Sequence, residues 1–180
     1  ILTAIAVTWL VVGAFGWVLR EREFLLLFAA IGFQLLYLMM LTGEAYALPA
    51  LAWLSGLGVV AIWISRALAT AFLLLFTVHF LDLVRFAPRM RTALQACAAA
   101  FGVVVVLAPF PAMQQSGLPL FGGYLLILSS FLAMVAALLA WRRGSRAARF
   151  YLVAWLPAEA LDAPRGLQLT GLAPILPAQE

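Results

Sequence analysis

"LLAWRRGSRAARFYLVAW", residues 138–155, places four arginines, Arg142, Arg143, Arg146 and Arg149, within eight residues between two apolar runs. Such a cluster can serve nucleic acid, a nucleotide, a lipid headgroup or the sidedness of a membrane loop, and the flanking runs decide among them. The chain is 67% hydrophobic and 10% charged, with a mean hydropathy of +1.11. A soluble domain carries roughly a quarter charged residues. A globule of this size also still exposes about a third of the surface its unfolded chain exposes. So much apolar surface has to face lipid. The fold class is therefore all-α, a polytopic helical membrane bundle, and the quoted stretch is a turn between two crossing helices.

Charge and composition exclude several functions. A net charge of +4 and a pI near 10 would suit nucleic acid. The eleven basic residues, however, are all arginines, and no basic stripe is interleaved with exposed aromatics. Nucleic acid is therefore not an expected partner. One cysteine, Cys97, excludes an internal disulfide and a multi-thiolate metal site. It lies among alanines, where a small buried thiol is the ordinary case. One histidine, His79, excludes a bis-histidine haem within one chain. There is no Gly-rich phosphate loop, no GxSxG and no HExxH, so no catalytic residue, metal or cofactor is expected. Gly122-Gly123 reads as a turn opening the fifth run.

A crossing helix needs about 20 apolar residues. Five stretches qualify, roughly 1–19, 24–42, 59–81, 93–109 and 119–141, and a sixth over about 149–168 is apolar for only its first part. The connections 20–23, 43–56, 82–91 and 109–119 are short, which makes consecutive helices antiparallel neighbours. Turns 1–2, 3–4 and 5–6 then share one face and carry Arg20, Arg22, Arg85, Arg89, Arg91, Arg142, Arg143, Arg146 and Arg149. Turns 2–3 and 4–5 carry no arginine, and toward the far end of helix 6 only Arg165 appears. The arginine face is expected to be cytoplasmic, with the N-terminus of the segment outside. Trp141 and Tyr151 fall at that interface, and Tyr46, Trp53 and Tyr124 near the opposite one, as amphipathic rings should. Small residues mark close packing in lipid. Ala96, Ala98, Ala100 and Gly102 of helix 4 are expected to meet Ala133, Ala136, Ala137 and Ala140 of helix 5.

The polar residues inside spans need a reason. Arg66 lies about 25 Å from the cytoplasmic edge, close to the outer interface, where snorkelling is the simple reading. A carboxylate at the same height would give it a partner. Asp162 stands about 20 Å up helix 6, and Glu44 lies at the outer end of helix 2. Glu159 falls near mid-membrane, just after Pro157, whose missing N–H is expected to kink helix 6. Arg66, Glu44, Glu159 and Asp162 are thus the candidates for an outer polar cluster. His79 sits near the cytoplasmic end of helix 3, where a structural or interfacial role suffices.

The order of these features resembles a family. "REREFLLLFAAIGFQLLYLMMLTGEA" (20–45) is similar to a first cytoplasmic turn, second helix and following Gly; "AIWISRALATAFLLLFTVHFLDL" (61–83) ends in Phe80, Leu81 and Asp82; "WRRGSRAARFYLVAW" (141–155) and "LQLTGLAP" (167–174) follow. Together they resemble bacterial seven-transmembrane receptors with diverse intracellular signalling modules. "PAEALDAPRG" (157–166) departs from that pattern in being more charged and proline-rich. The resemblance implies a seventh helix beyond Glu180 and a sensor domain before the first helix, often of carbohydrate-binding type. It also implies a cytoplasmic output after the last helix, such as a histidine kinase of a two-component system or a diguanylate cyclase. A homodimer in the bacterial inner membrane belongs to the same picture. The opening within an apolar run at Ile1 agrees with a segment of a longer protein. There is no basic stretch ahead of it to make a cleavable signal peptide.

Three functions are compatible with a small polytopic bundle. A transmembrane relay, passing outside binding to the output domain through helix arrangement, fits best. A small transporter or channel would need broken helices and several mid-membrane polar groups, and only Glu159 stands there. An intramembrane enzyme would need a dyad, and His79 and Cys97 lie on different helices. The arginine turns have a further expected use, pairing with anionic lipid or the output domain.

Overall fold

The structure, a computed structural model, is described over residues 2–111 and 117–155. In chain order it has α1 (Leu2–Leu19), α2 (Arg22–Thr42), the short α3 (Glu44–Ala47), a 3-10 helix (Ala52–Leu57) and α4 (Val59–Phe80). The short α5 (Leu83–Phe86), α6 (Pro88–Leu107) and α7 (Leu118–Arg142) follow, with α8 helical over 146–155. There is no strand among the described residues, and the all-helical class holds. Five helices, α1, α2, α4, α6 and α7, are long and apolar enough to cross a membrane. The expected count of six is therefore reduced to five among the described residues. The sixth run begins at 146 rather than 149 and is followed only to 155, so Glu159, Asp162 and Arg165 lie outside the described residues.

Local chemistry sets the helix ends. α6 starts at Pro88, five residues before the expected 93. Proline suits the first helical position because the N–H it lacks would have no partner there. Arg89 and Arg91 consequently ride on the first turn of a helix instead of lying in a loop. The 43–58 connection is also more ordered than a plain loop. Gly43 ends α2 in the left-handed region (φ 82°), its N–H bonded to the Met40 carbonyl, and α3 and the 3-10 helix follow.

The quoted turn stops one helix and starts the next with two residues. Gly144 is left-handed (φ 94°) and its N–H bonds Trp141 O at 2.9 Å, while Ser145 N–H bonds Ala140 O at 3.0 Å. Those paired bonds form the Schellman stop, which glycine permits at no steric cost. The Ser145 hydroxyl then accepts from the Ala148 N–H at 3.4 Å, capping α8.

α1 packs on α2, α2 on α4, α4 on α6 and α6 on α7, with α4 also reaching α7. α4 is central. It buries nine residues, whereas α1 buries only Gly16. α6 turns one face inward through Leu94, Cys97, Ala98, Phe101 and Val104, the three-and-four spacing of a single helical stripe. α7 answers with Ala133, Ala136, Ala137 and Ala140, all buried in the same core. Of the small residues expected on α6, Ala98 is buried in that core and Ala100 is partly buried against it. Ala96 is exposed, and a Cβ on Gly102 would meet nothing within 4 Å. Large side chains on α6 fill the space that small ones on α7 leave.

Candidate relay site

Two polar contacts on α4, eleven residues and so about 16 Å apart, join it to different neighbours. At the height of Arg66, the guanidinium donates from Nη1 to Gln34 Oε1 of α2 at 2.8 Å. It also stands 5.2 Å from the centre of the Tyr37 ring. A charge-assisted hydrogen bond and a cation–π contact, both on α2, place the group in a shallow polar niche within the bundle. Phe33 of α2 and Phe72 of α4 also stack, with centroids 5.7 Å apart. The other end of α4 contacts α8. Thr77, fully buried, shares a 3.1 Å hydrogen bond with the Tyr151 hydroxyl and also donates to Leu73 O at 2.9 Å. Rings continue that contact from Phe76 to Phe80, Tyr151 and Trp155. Tyr151, expected at the interface, is thus buried at a helix seam.

Glu44, the carboxylate expected near Arg66, is exposed at the start of α3. His79 is exposed in the last turn of α4, and Cys97 is buried in α6. The arginine turns converge. The Arg143 guanidinium donates to the Phe86 carbonyl at the end of α5, tying turn 5–6 to turn 3–4. Arg85 lies 5.4 Å from the Phe86 ring centre. Arg89, Arg142, Arg146 and Arg149 are exposed, and Arg91 is partly buried with its Nε lacking a hydrogen-bond partner. Among the described residues no three His, Cys, Asp or Glu side chains gather as metal ligands would.

This bundle of apolar helices joined by sparse polar contacts is matched by a family model described as 7TM diverse intracellular signalling, over residues 1–160. The chain belongs to that family. Neither a curated protein nor a solved structure matches it. As a member of the 7TM diverse intracellular signalling family, it is a multi-pass, receptor-type transmembrane region. The matched span includes every polar contact on α4 described above.

Sequence reading missed the partners on α2 and the grip of α1. Gln34 is the lone amide within span 2, a signal that was visible, but its height opposite Arg66 needed the antiparallel register. Trp9 stacks on Phe28 at 4.8 Å and donates through Nε1 to Phe28 O at 3.1 Å. A Cβ on Gly13 would come within 2.6 Å of Phe28, and one on Gly32 within 2.7 Å of Trp9. Those glycines are notches for rings. In a span, glycine otherwise reads only as a generic small residue.

Proposed function

We propose that this segment is the relay of a bacterial inner-membrane receptor. It carries a ligand signal from a sensor domain before α1 to a cytoplasmic output domain, a histidine kinase or a diguanylate cyclase, after a seventh helix. The segment itself does no chemistry. The observation that carries the reading is α4, a central helix fastened to α2 through Arg66 and to α8 through Thr77. A shift of α2 against α4 near one membrane face is then felt at the α4–α8 seam near the other. The orientation rests on charge. Nine arginines and three carboxylates (Glu21, Glu23 and Asp82) lie at one end, while Glu44 is the lone charged turn residue described at the other. That asymmetry supports a cytoplasmic arginine end.

The test uses the full-length receptor in membrane vesicles, with formation of the output domain's product as the readout. Thr77→Val keeps shape and removes the hydroxyl, and it is expected to change output severalfold at unchanged membrane insertion. Equal output from both proteins would overturn the relay. Orientation is checked separately with alkaline phosphatase inserted at residue 50 or at residue 144. The enzyme should be active at the first site and silent at the second, and the reverse would overturn the sidedness.

A further inference from the structure

We infer that the arginine-rich end holds an anionic phospholipid, its phosphate at Arg142 and its acyl chain along α7. Val135, Leu138, Leu139 and Arg142 share one face of that helix and line a groove open to the outside. Their spacing of three, four and seven residues stacks them in a row about 10 Å long. Leu138 is 40% exposed and Trp141, one residue before the arginine, is 45% exposed. The site is amphipathic in the order a phospholipid is: guanidinium at headgroup depth, branched apolar side chains below it. A free phosphate would have no use for the apolar row.

Charge around the groove points the same way. Because Arg143 fastens to Phe86, the arginines of turn 3–4 lie beside those of turn 5–6. Arg89 and Arg91 occupy the first turn of α6, where the helix dipole disfavours cations, so intrahelical electrostatics does not account for them. A planar guanidinium with several donors suits phosphate oxygens. Clusters of this kind at the membrane surface attract anionic lipid. The inference uses the proposed relay only in that the groove ends on the α7–α8 turn. A bound headgroup would hold that turn, and with it Tyr151, in one position.

The test is lipid retention by the full-length receptor in nanodiscs of mixed phosphatidylglycerol and phosphatidylcholine, measured by native mass spectrometry. Both leaflets carry the anionic lipid, so the result does not depend on which end faces the cytoplasm. Wild type is expected to keep phosphatidylglycerol in preference. Arg142→Gln should lower that retention about fivefold, against less than about twofold for Arg149→Gln, which removes the same charge away from the groove. Leu138→Trp, which fills the groove without altering charge, should also lower it. Equal retention of the two lipids by wild type would overturn the inference. So would equal losses in the two arginine variants, the mark of a general field, or displacement of the lipid by millimolar inorganic phosphate, the mark of a free-anion site.

Discussion

α1 and α4 are apolar helices of similar length, yet they are held in different ways. Among the described residues α1 leans on α2 through shape, with Phe28 in the notch at Gly13 and Trp9 against Gly32. α4 touches several neighbours and carries polar contacts near both of its ends. In lipid, apolar area gives no drive for one helix to choose another, so close fit and hydrogen bonds set position. The two kinds of seam would respond differently to a displaced helix. A seam made of notches holds or separates, whereas a hydroxyl pair at a seam can break and re-form with little change in volume.

The largest effect should come from breaking the shape-held seam. Gly32→Val would drive methyl groups into Trp9 and cost about 2–3 kcal/mol, read by steric trapping of the bundle in bicelles. Contacts of α4 should survive, so cross-linking of α2 to α4 is expected to be unchanged while that of α1 to α2 falls. Next comes Gln34→Leu, which takes an acceptor from the Arg66 guanidinium and should cost about 1.5–2 kcal/mol. A loss no larger than that of an exposed apolar swap on α2 would mean that the arginine is held by something other than this amide.

A smaller change, of opposite sign, is expected at the end of α1. Arg20 is left-handed, with φ 53°, a conformation that disfavours side chains bearing a Cβ by about 1–2 kcal/mol. Arg20→Gly should therefore stabilise the bundle by about 1 kcal/mol in the same trapping assay. The smallest stability effect is expected at the α4–α8 seam of the proposed relay. Tyr151→Phe removes one hydroxyl from a buried pair, and such losses in membranes average about 0.6 kcal/mol. A large stability loss there would make Thr77–Tyr151 a structural clamp rather than a contact that exchanges.

Much of this was legible because bilayer thickness dictates span length, and arginines mark the turns. The helices of 2–19, 22–42, 59–80 and 118–142 lie within a few residues of the apolar runs that predict them. α6 begins early because a proline that interrupts a helix interior is welcome at its first position, and Pro88 follows a turn. The α6 alanines misled for a related reason. In lipid either face of a helix is compatible with small residues, so Ala96 and Ala100 carry no direction. Ala98 faces inward beside Leu94 and Phe101. Of the residues expected in an outer polar cluster, Arg66 contacts Gln34 and Tyr37, Glu44 is exposed, and Glu159 and Asp162 lie outside the described residues. Arg66 stood out by its charge, whereas Gln34 and Tyr37 acquire meaning only from their height on a neighbouring helix. Gly144-Ser145 could have been read as a stop followed by a cap, since glycine past one run and serine before the next is the common order.

In the proposed relay the α4–α8 seam moves with output while the α1–α2 seam does not. The most direct measurement is pulsed electron paramagnetic resonance on the full-length receptor in nanodiscs, with Cys97 first replaced by alanine. One sample carries spin labels at the exposed positions His79 and Val153, and another at Val18 and Leu25. Each is compared with and without Tyr151→Phe, and output is measured on the same preparations. The proposed relay requires a shifted or broadened distance between His79 and Val153, a changed output, and an unaltered distance between Val18 and Leu25. A displaced α8 with output unchanged would contradict it.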